Sequence, residues 1–250
     1  MDISIIIPCY DEEDSVPQIA TKLFPVVEEL RRTRHVEILF IDDGSADTTY
    51  QELLKITANQ ENMRIVRHLS NRGLGEAQRT GFKNARGEII VTTDSDGTYD
   101  FAEIPTLLAL LKPDIDIVTA SPYGKHGRVE NVPAYRIILS RGASAIYQLL
   151  LDRSITAYTC LFRAYRRDVV RNVPFESSGF LAGTQLLVNA VFMGYKVAEH
   201  PSTLHVREIG ASKARMLRTI RTHLRFQWSV LLRRLRLAPI PTPLERKITL

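Results

Sequence analysis

The chain has 250 residues, 44% of them hydrophobic and 24% charged, and a formal net charge of +5. That apolar content fills one complete core and excludes disorder as the default state. The two cysteines, Cys9 and Cys160, have no metal-ligand spacing, which argues against a disulfide framework or a structural zinc site and fits a reducing cytoplasm.

Charge is unevenly distributed. Residues 201–250 hold 11 Lys/Arg against 2 Asp/Glu, a balance of +9 that leaves the first 200 residues at −4. No apolar run approaches the roughly 20 residues of a membrane span, and the amino terminus enters a strand without a signal-peptide pattern. A membrane would be met at its surface, and the expected location is peripheral, on the cytoplasmic face.

In chain order, Ser4 to Pro8 reads as a short buried strand, followed by an acidic turn (Tyr10-Asp11-Glu12-Glu13) and a helix to about Leu30. Glu37 to Asp42 is a second strand; Ala46-Asp47-Thr48-Thr49 caps a helix to about Asn59. Arg64 to Arg67 is a third strand. Gly73-Leu74-Gly75-Glu76 opens a helix through Asn84, and Glu88 to Thr93 is the fourth strand. Asp114 to Ala120 is a further strand, Ser121 to Pro133 a mobile loop rich in Gly, Pro and charge, and after it helices take over. Pro239, Pro241 and Pro243 close the last helix and predict a loosely held tail.

Strands alternating with helices predict an α/β fold with a mostly parallel, Rossmann-like sheet flanked by helices. Residues 1–100 form a nucleotide half, 101–210 an acceptor half, and 211–250 a basic amphipathic helix and tail.

Acidic residues end three predicted strands: Asp11 and Glu12 after the first, Asp42 and Asp43 on the second, and Asp94 and Asp96 on the fourth. Carboxylates at the carboxyl ends of parallel strands project into the crevice where open α/β sheets bind ligands. An Asp-x-Asp pair suits a hard divalent cation. One such cluster could be an ordinary turn; three in one domain point to a nucleotide and metal site. Arg72-Gly73-Leu74-Gly75 adds a helix amino terminus beside an arginine, a reasonable anion site.

The segments Pro8-Cys9-Tyr10-Asp11-Glu12, Asp42-Asp43-Gly44-Ser45, Asn71-Arg72-Gly73-Leu74-Gly75 and Asp94-Ser95-Asp96 resemble, in order and spacing, family-2 glycosyltransferases of the GT-A fold. The resemblance implies a nucleotide-sugar donor whose nucleoside meets Pro8, Tyr10, Glu12 and the Asp42–Asp43 turn, with Arg72 and Gly75 in the donor set. Asp94 would lie near the ribose, and Asp94 and Asp96 would hold Mg²⁺ or Mn²⁺ at the diphosphate. A divalent ion there neutralises charge developing on the leaving group.

Ser140-Arg141-Gly142-Ala143-Ser144, with Phe162-Arg163-Ala164-Tyr165-Arg166 downstream, resembles the dolichyl-phosphate mannosyltransferase-like branch. That branch gives its sugar to a polyprenyl phosphate. The resemblance places Ser140 and Arg141 on the acceptor phosphate and adds Arg163 and Arg207 as basic positions of the same locus, Arg207 close to the catalytic centre. Gln185 stands where many inverting relatives carry an acidic general base; a phosphate is already anionic and needs none.

The chain departs from that branch at three places. It has Ala120-Ser121-Pro122-Tyr123 for Gly-Ser-Arg-Tyr, Gly97-Thr98-Tyr99 in the stretch after the Asp-x-Asp, and Thr159-Cys160-Leu161-Phe162 for Thr-Gly-Ser-Phe. These departures bear on sugar, base and acceptor length rather than on reaction class.

From Ser212 to Leu237, Leu217, Ile220, Leu224, Trp228, Leu231 and Leu235 recur at helical spacing, with Arg215, Arg218, Arg225, Arg233 and Arg236 toward another face. Such a helix either packs on its own domain or anchors on anionic lipid. The leading expectation is an inverting hexosyltransferase using a GDP-mannose or UDP-glucose type donor and a polyprenyl phosphate. A saccharide or small hydroxylated acceptor is the nearest alternative; a non-catalytic membrane or nucleic-acid binding protein is the other class. Nucleic acid is disfavoured because the first 200 residues are net acidic and would repel a phosphate backbone. Oligomeric state stays open.

Overall fold

The computed structural model describes residues 1–206 and 216–244. In chain order the elements are β1 (Ile3–Cys9), α1 (Val16–Arg31), β2 (Val36–Asp42), α2 (Thr49–Thr57), β3 (Met63–Arg67), α3 (Leu74–Asn84) and β4 (Ile89–Thr92). After these come α4 (Ile104–Leu110), β5 (Ile117–Ser121), β6 (Arg128–Glu130), α5 (Ala134–Leu150), β7 (Arg163–Arg166), α6 (Arg167–Asn172), α7 (Leu181–Phe192), β8 (Val197–Pro201), β9 (Thr203–His205) and α8 (Met216–Arg234).

One seven-stranded sheet, ordered β3-β2-β1-β4-β7-β5-β8, runs through the molecule, and only β7 is antiparallel to its neighbours. Every residue of β2 is buried and β1 is buried but for Pro8, as a sheet covered on both faces requires. Side chains alternate between the faces. Ile3, Ile5 and Ile7 pack with Val16, Ile19 and Leu23 of α1, whereas Ile6, Leu39 and Ile41 pack in a second core with Leu186 and Leu187 of α7.

Three expectations need correction. The alternation does not end at residue 133: β7 and β8 continue the sheet, and β7 inserts between β4 and β5, so both sequence halves share one layer. Within 121–133, β6 pairs in parallel with β9 (Arg128 with Thr203, Glu130 with His205), so the segment is tied down rather than an open loop. The tail is also held as far as the described residues reach, since the Leu244 N–H donates to the Asn172 carbonyl at 2.9 Å. Each is a pairing between segments 44 to 80 residues apart, which local patterning does not encode.

The last helix packs on the domain through a face other than its apolar stripe. His223, Phe226, Gln227 and Val230 are buried against the domain, while Leu217, Leu224, Trp228 and Leu235 are 57–84% exposed. Gln227 donates to the Ala143 carbonyl of α5, and Tyr147 Oη lies 3.3 Å from His223 Nδ1. Arg233, expected in solvent, reaches Asn189 of α7 at 2.9 Å. No described helix is long and apolar enough to cross a membrane.

Candidate active site

A cleft of about 880 Å³ opens at the carboxyl ends of β1, β2 and β4. Pro8, Tyr10 and Glu12 line it from the end of β1, Asp43 from just past β2, and Asp94, Ser95 and Asp96 from the turn after β4. The register explains the convergence: β1 and β2 end level, with Cys9 paired to Asp42, and β4 stops earlier, with Thr92 paired to Ile6, so the turn that follows β4 runs alongside the end of β1. The opposite wall comes from α5 (Arg136, Ile137, Ser140), β9 (His205) and the first turns of α8 (Arg218, Thr219, Thr222).

The carboxylates at the strand ends are held by the backbone. Asp43 is buried, and its two oxygens accept from the Arg72 N–H at 3.0 Å and the Gly73 N–H at 2.7 Å. His68 Nδ1 lies 2.6 Å from the same carboxylate, with Nε2 2.9 Å from Thr80 Oγ1 of α3. A charge-assisted set of this kind is strong and directional, so Asp43 shapes the 71–73 turn as well as facing the cleft. Gly73 adopts φ +94° and Gly44 φ +70°; a side chain at Gly44 would meet the Ser70 backbone at 2.3 Å. Glu12 takes the Ser15 hydroxyl at 3.0 Å, and its N–H donates to Thr49 Oγ1 at 2.6 Å. Neighbouring Asp11 pushes the Tyr10 phenol above its ordinary pKa, with burial adding to the effect. Asp96 accepts from the Thr98 N–H at 3.1 Å.

Among the described residues, no group of three His, Cys, Asp or Glu forms a ready cation cage. Asp94 and Asp96 nonetheless suit Mg²⁺ or Mn²⁺. Both are hard oxygen donors on one cleft wall, and such ions are commonly held by one or two carboxylates with substrate phosphates and water completing the shell.

Several expected site residues lie elsewhere. Arg163 is completely buried on β7. Its Nε donates to Thr119 Oγ1 at 3.1 Å, one terminal nitrogen to the Gly183 carbonyl at 2.5 Å and the other to the Tyr158 carbonyl at 2.8 Å. That guanidinium braces the sheet against α7 and has no face left for an acceptor phosphate, which corrects its assignment. Asp42 is likewise fully buried and does not line the cleft: it accepts the Ser45 N–H at 3.0 Å. Arg67 Nε lies 2.9 Å from its second oxygen but off the line a directed hydrogen bond needs, making an ion pair.

Gly75 packs against the chain before α7, its N–H on the Ser178 carbonyl at 2.7 Å, and a side chain there would strike the Ser177 carbonyl at 2.0 Å. It is a close-approach glycine and not a donor contact. Arg72 points outward to Glu76 at 3.2 Å. Arg141 is exposed outside the cleft and stacks over the Tyr123 ring at 5.4 Å. Gln185 faces away from the cleft and accepts the Glu176 and Ser177 N–H groups at 3.0 and 2.9 Å. Arg207 lies outside the described residues, as do Ser212 and Arg215.

Sequence reading missed His68, Arg136, His205 and Arg218. Arg136 was findable, one helical turn before Ser140 on the same face. His68 and Arg218 reach the site only through packing between distant segments.

The family model for Glycosyl transferase family 2 matches residues 4–173. A dolichol-phosphate mannosyltransferase of Pyrococcus furiosus is 31% identical over 85% of this chain and 59% of its own length. A polyprenol monophosphomannose synthase of Mycolicibacterium smegmatis is 32% identical over 84% of this chain and 79% of its own. The chain therefore spans less than two thirds of the Pyrococcus protein. Among solved structures, glucosyl-3-phosphoglycerate synthase of Mycobacterium tuberculosis with Mn²⁺ and UDP aligns with a TM-score of 0.68 at 21% identity, covering 95% of this chain and 81% of that one. A Pyrobaculum calidifontis mannosyltransferase with GDP-Man and Mn²⁺ aligns at 0.59 and 16% identity, covering 92% and 64%. At these identities the structural likeness is one of fold.

Proposed function

The chain belongs to glycosyl transferase family 2, and from that premise we propose that it transfers one sugar from a nucleotide sugar to a polyprenyl phosphate at a membrane surface, using Mg²⁺ or Mn²⁺. The observation that carries this reading is the two-sided cleft. Acidic strand ends form one wall; Arg136, Ser140 and Arg218 stand on the other. Its named relatives act on lipid phosphates, in keeping with the basic wall.

In this reading Pro8, Tyr10, Glu12 and Asp43 seat the nucleoside. Asp94 and Asp96 would hold the divalent metal, which when bound would supply charge neutralisation at the departing diphosphate. Arg136 and Ser140 orient the acceptor phosphate, whose oxygen attacks the anomeric carbon from the face opposite the leaving group, as the sugar–diphosphate bond breaks. The nucleophile is anionic at neutral pH, so no side chain must take its proton. Gln185, turned to backbone N–H groups, fits that absence of a base.

The membrane side rests on two uncovered apolar stripes on adjacent helices. Ile138 and Leu149 of α5 are 69% and 70% exposed, and Trp228 of α8 is 62% exposed beside Arg221 and Arg225. Apolar residues flanked by arginines suit an anionic bilayer, and both helices also line the cleft. The decisive assay supplies radiolabelled donor, divalent metal and polyprenyl phosphate. Label partitioning into organic solvent supports the reading; label confined to water-soluble glycoside overturns the acceptor. The double variant Leu224→Ser/Trp228→Ser is expected to lose flotation with anionic vesicles while melting normally.

A further inference from the structure

Asp43 is only 3% exposed, yet it lines the cleft, and most of its hydrogen-bonding capacity is already taken. A carboxylate accepts at about four lone-pair sites, two on each oxygen. Oδ1 accepts the Arg72 N–H at 3.0 Å, and Oδ2 accepts the Gly73 N–H at 2.7 Å. These are consecutive backbone groups, one on each oxygen, so the chain itself fills the forked face that a two-donor ligand would take. His68 Nδ1 then occupies Oδ1 a second time, at 2.6 Å. A carboxylate has no proton to give, so His68 donates there, and its Nε2 takes the Thr80 hydroxyl at 2.9 Å.

Three acceptor positions are thus spent inside the fold, and one, on Oδ2, is left for the cleft. His68 is itself buried, its ring fixed between Asp43 and Thr80 of α3. Next to Arg72, Asn71 is exposed on the cleft lining, and its side-chain amide is a source of N–H donors.

Nucleobases differ in what their Watson–Crick edge offers such a group. Guanine presents two adjacent donors, N1–H and the N2 amine, and needs two acceptors side by side. Uracil presents one donor, N3–H, between two carbonyls. Cytosine and adenine set a ring-nitrogen lone pair beside their amine, and a carboxylate repels it. With one acceptor position at Asp43 and amide donors at Asn71, the N–H and a flanking carbonyl of uracil are both matched. Guanine would bury one N–H without a partner, a loss of about tenfold or more in affinity.

We propose that Asp43, with both oxygens committed to the 72–73 backbone and to His68, reads a base carrying a single ring N–H, so that the donor is a uridine and not a guanosine nucleotide sugar. This inference rests on the donor reading above and names the base which that reading leaves open.

The test is calorimetric binding of UDP, N3-methyl-UDP, GDP and IDP to the unaltered chain with Mn²⁺. IDP keeps the ring system and N1–H of guanine but lacks the N2 amine, so it separates donor count from ring size. UDP should bind at least about tenfold more tightly than either GDP or N3-methyl-UDP, and IDP no more weakly than GDP. A smaller UDP preference over either one overturns the proposal. IDP weaker than GDP means that both guanine donors are read, and overturns it as well. In Asp43→Ala the two uridine nucleotides should bind alike; a retained difference assigns N3–H to another group and also overturns it. If that variant does not fold, the comparison on the unaltered chain decides alone. Failure of every one of these nucleotides to bind overturns the donor reading, and the base assignment with it.

Discussion

The two walls of the cleft, which we read as its donor and acceptor walls, are built differently. On the donor wall, carboxylates sit at strand ends and are fixed by backbone N–H groups and a buried histidine, as Asp43 is by Arg72, Gly73 and His68. On the acceptor wall, side chains stand on two helices whose apolar stripes remain uncovered. The donor side is thus organised in the chain alone, which reduces the cost of ordering a soluble nucleotide. The acceptor side is left to be completed by whatever covers α5 and α8, in our reading the bilayer that delivers the acceptor.

The sharpest test of this contrast is Asp96→Asn. It should lower transfer about 10³-fold by weakening charge stabilisation at the leaving diphosphate, with a thermal midpoint close to the parent's. Steady-state kinetics at saturating metal check this, and near-normal turnover would sink the metal role.

Arg163→Met probes the correction made between the two walls. Loss of its partners leaves the Gly183 and Tyr158 carbonyls unpaired in the core, at a cost of about 3 kcal/mol. Urea unfolding should reveal that loss, whereas the acceptor KM of the folded fraction should stay near normal. A raised acceptor KM at unchanged stability would restore Arg163 to the phosphate.

The helix pair gives a pH-dependent test. Burial lowers the His223 pKa from 6.5 to about 4, and Tyr147 Oη is its facing polar group. Because the folded value lies below the unfolded one, the unfolded chain binds more protons between these limits. Stability is therefore full above about pH 6.5 and falls toward pH 4, by roughly 2–3 kcal/mol at most for this group. Comparing His223→Gln with the parent across that window isolates the contribution; parallel curves would refute it.

A smaller difference separates two arginines of one helix. Arg136→Ala should raise the acceptor KM about tenfold, the scale of one charge-assisted contact, whereas Arg141→Ala, outside the cleft, should change it less than about threefold. Equal effects would place the phosphate within reach of Arg141, outside the cleft lining.

Much of the donor wall was legible because it is local. Apolar runs that end in acidic residues specify strands and the level at which they stop, and parallel pairing then brings Glu12, Asp43 and Asp94 together. The same logic misread Asp42. Neighbouring residues in a strand point to opposite faces, so only one of the Asp42–Asp43 pair faces the cleft, and the sequence does not say which. Gly75 looked like an anion-binding glycine and proved to be a packing contact, decided by the chain before α7.

The sequence by itself determined five of the sheet's seven strands, the acidic strand ends, the amphipathic last helix and the concentration of basic charge near the carboxyl terminus. These follow from periodicity and residue type. Only the tertiary structure decided that β7 enters antiparallel between β4 and β5, that Arg163 is a core brace, that Arg136 and Arg218 share a wall, and which face of α8 is covered. Those outcomes depend on which distant surfaces meet. On α8, His223, Phe226, Gln227 and Val230 found partners on the domain, and the more apolar stripe did not.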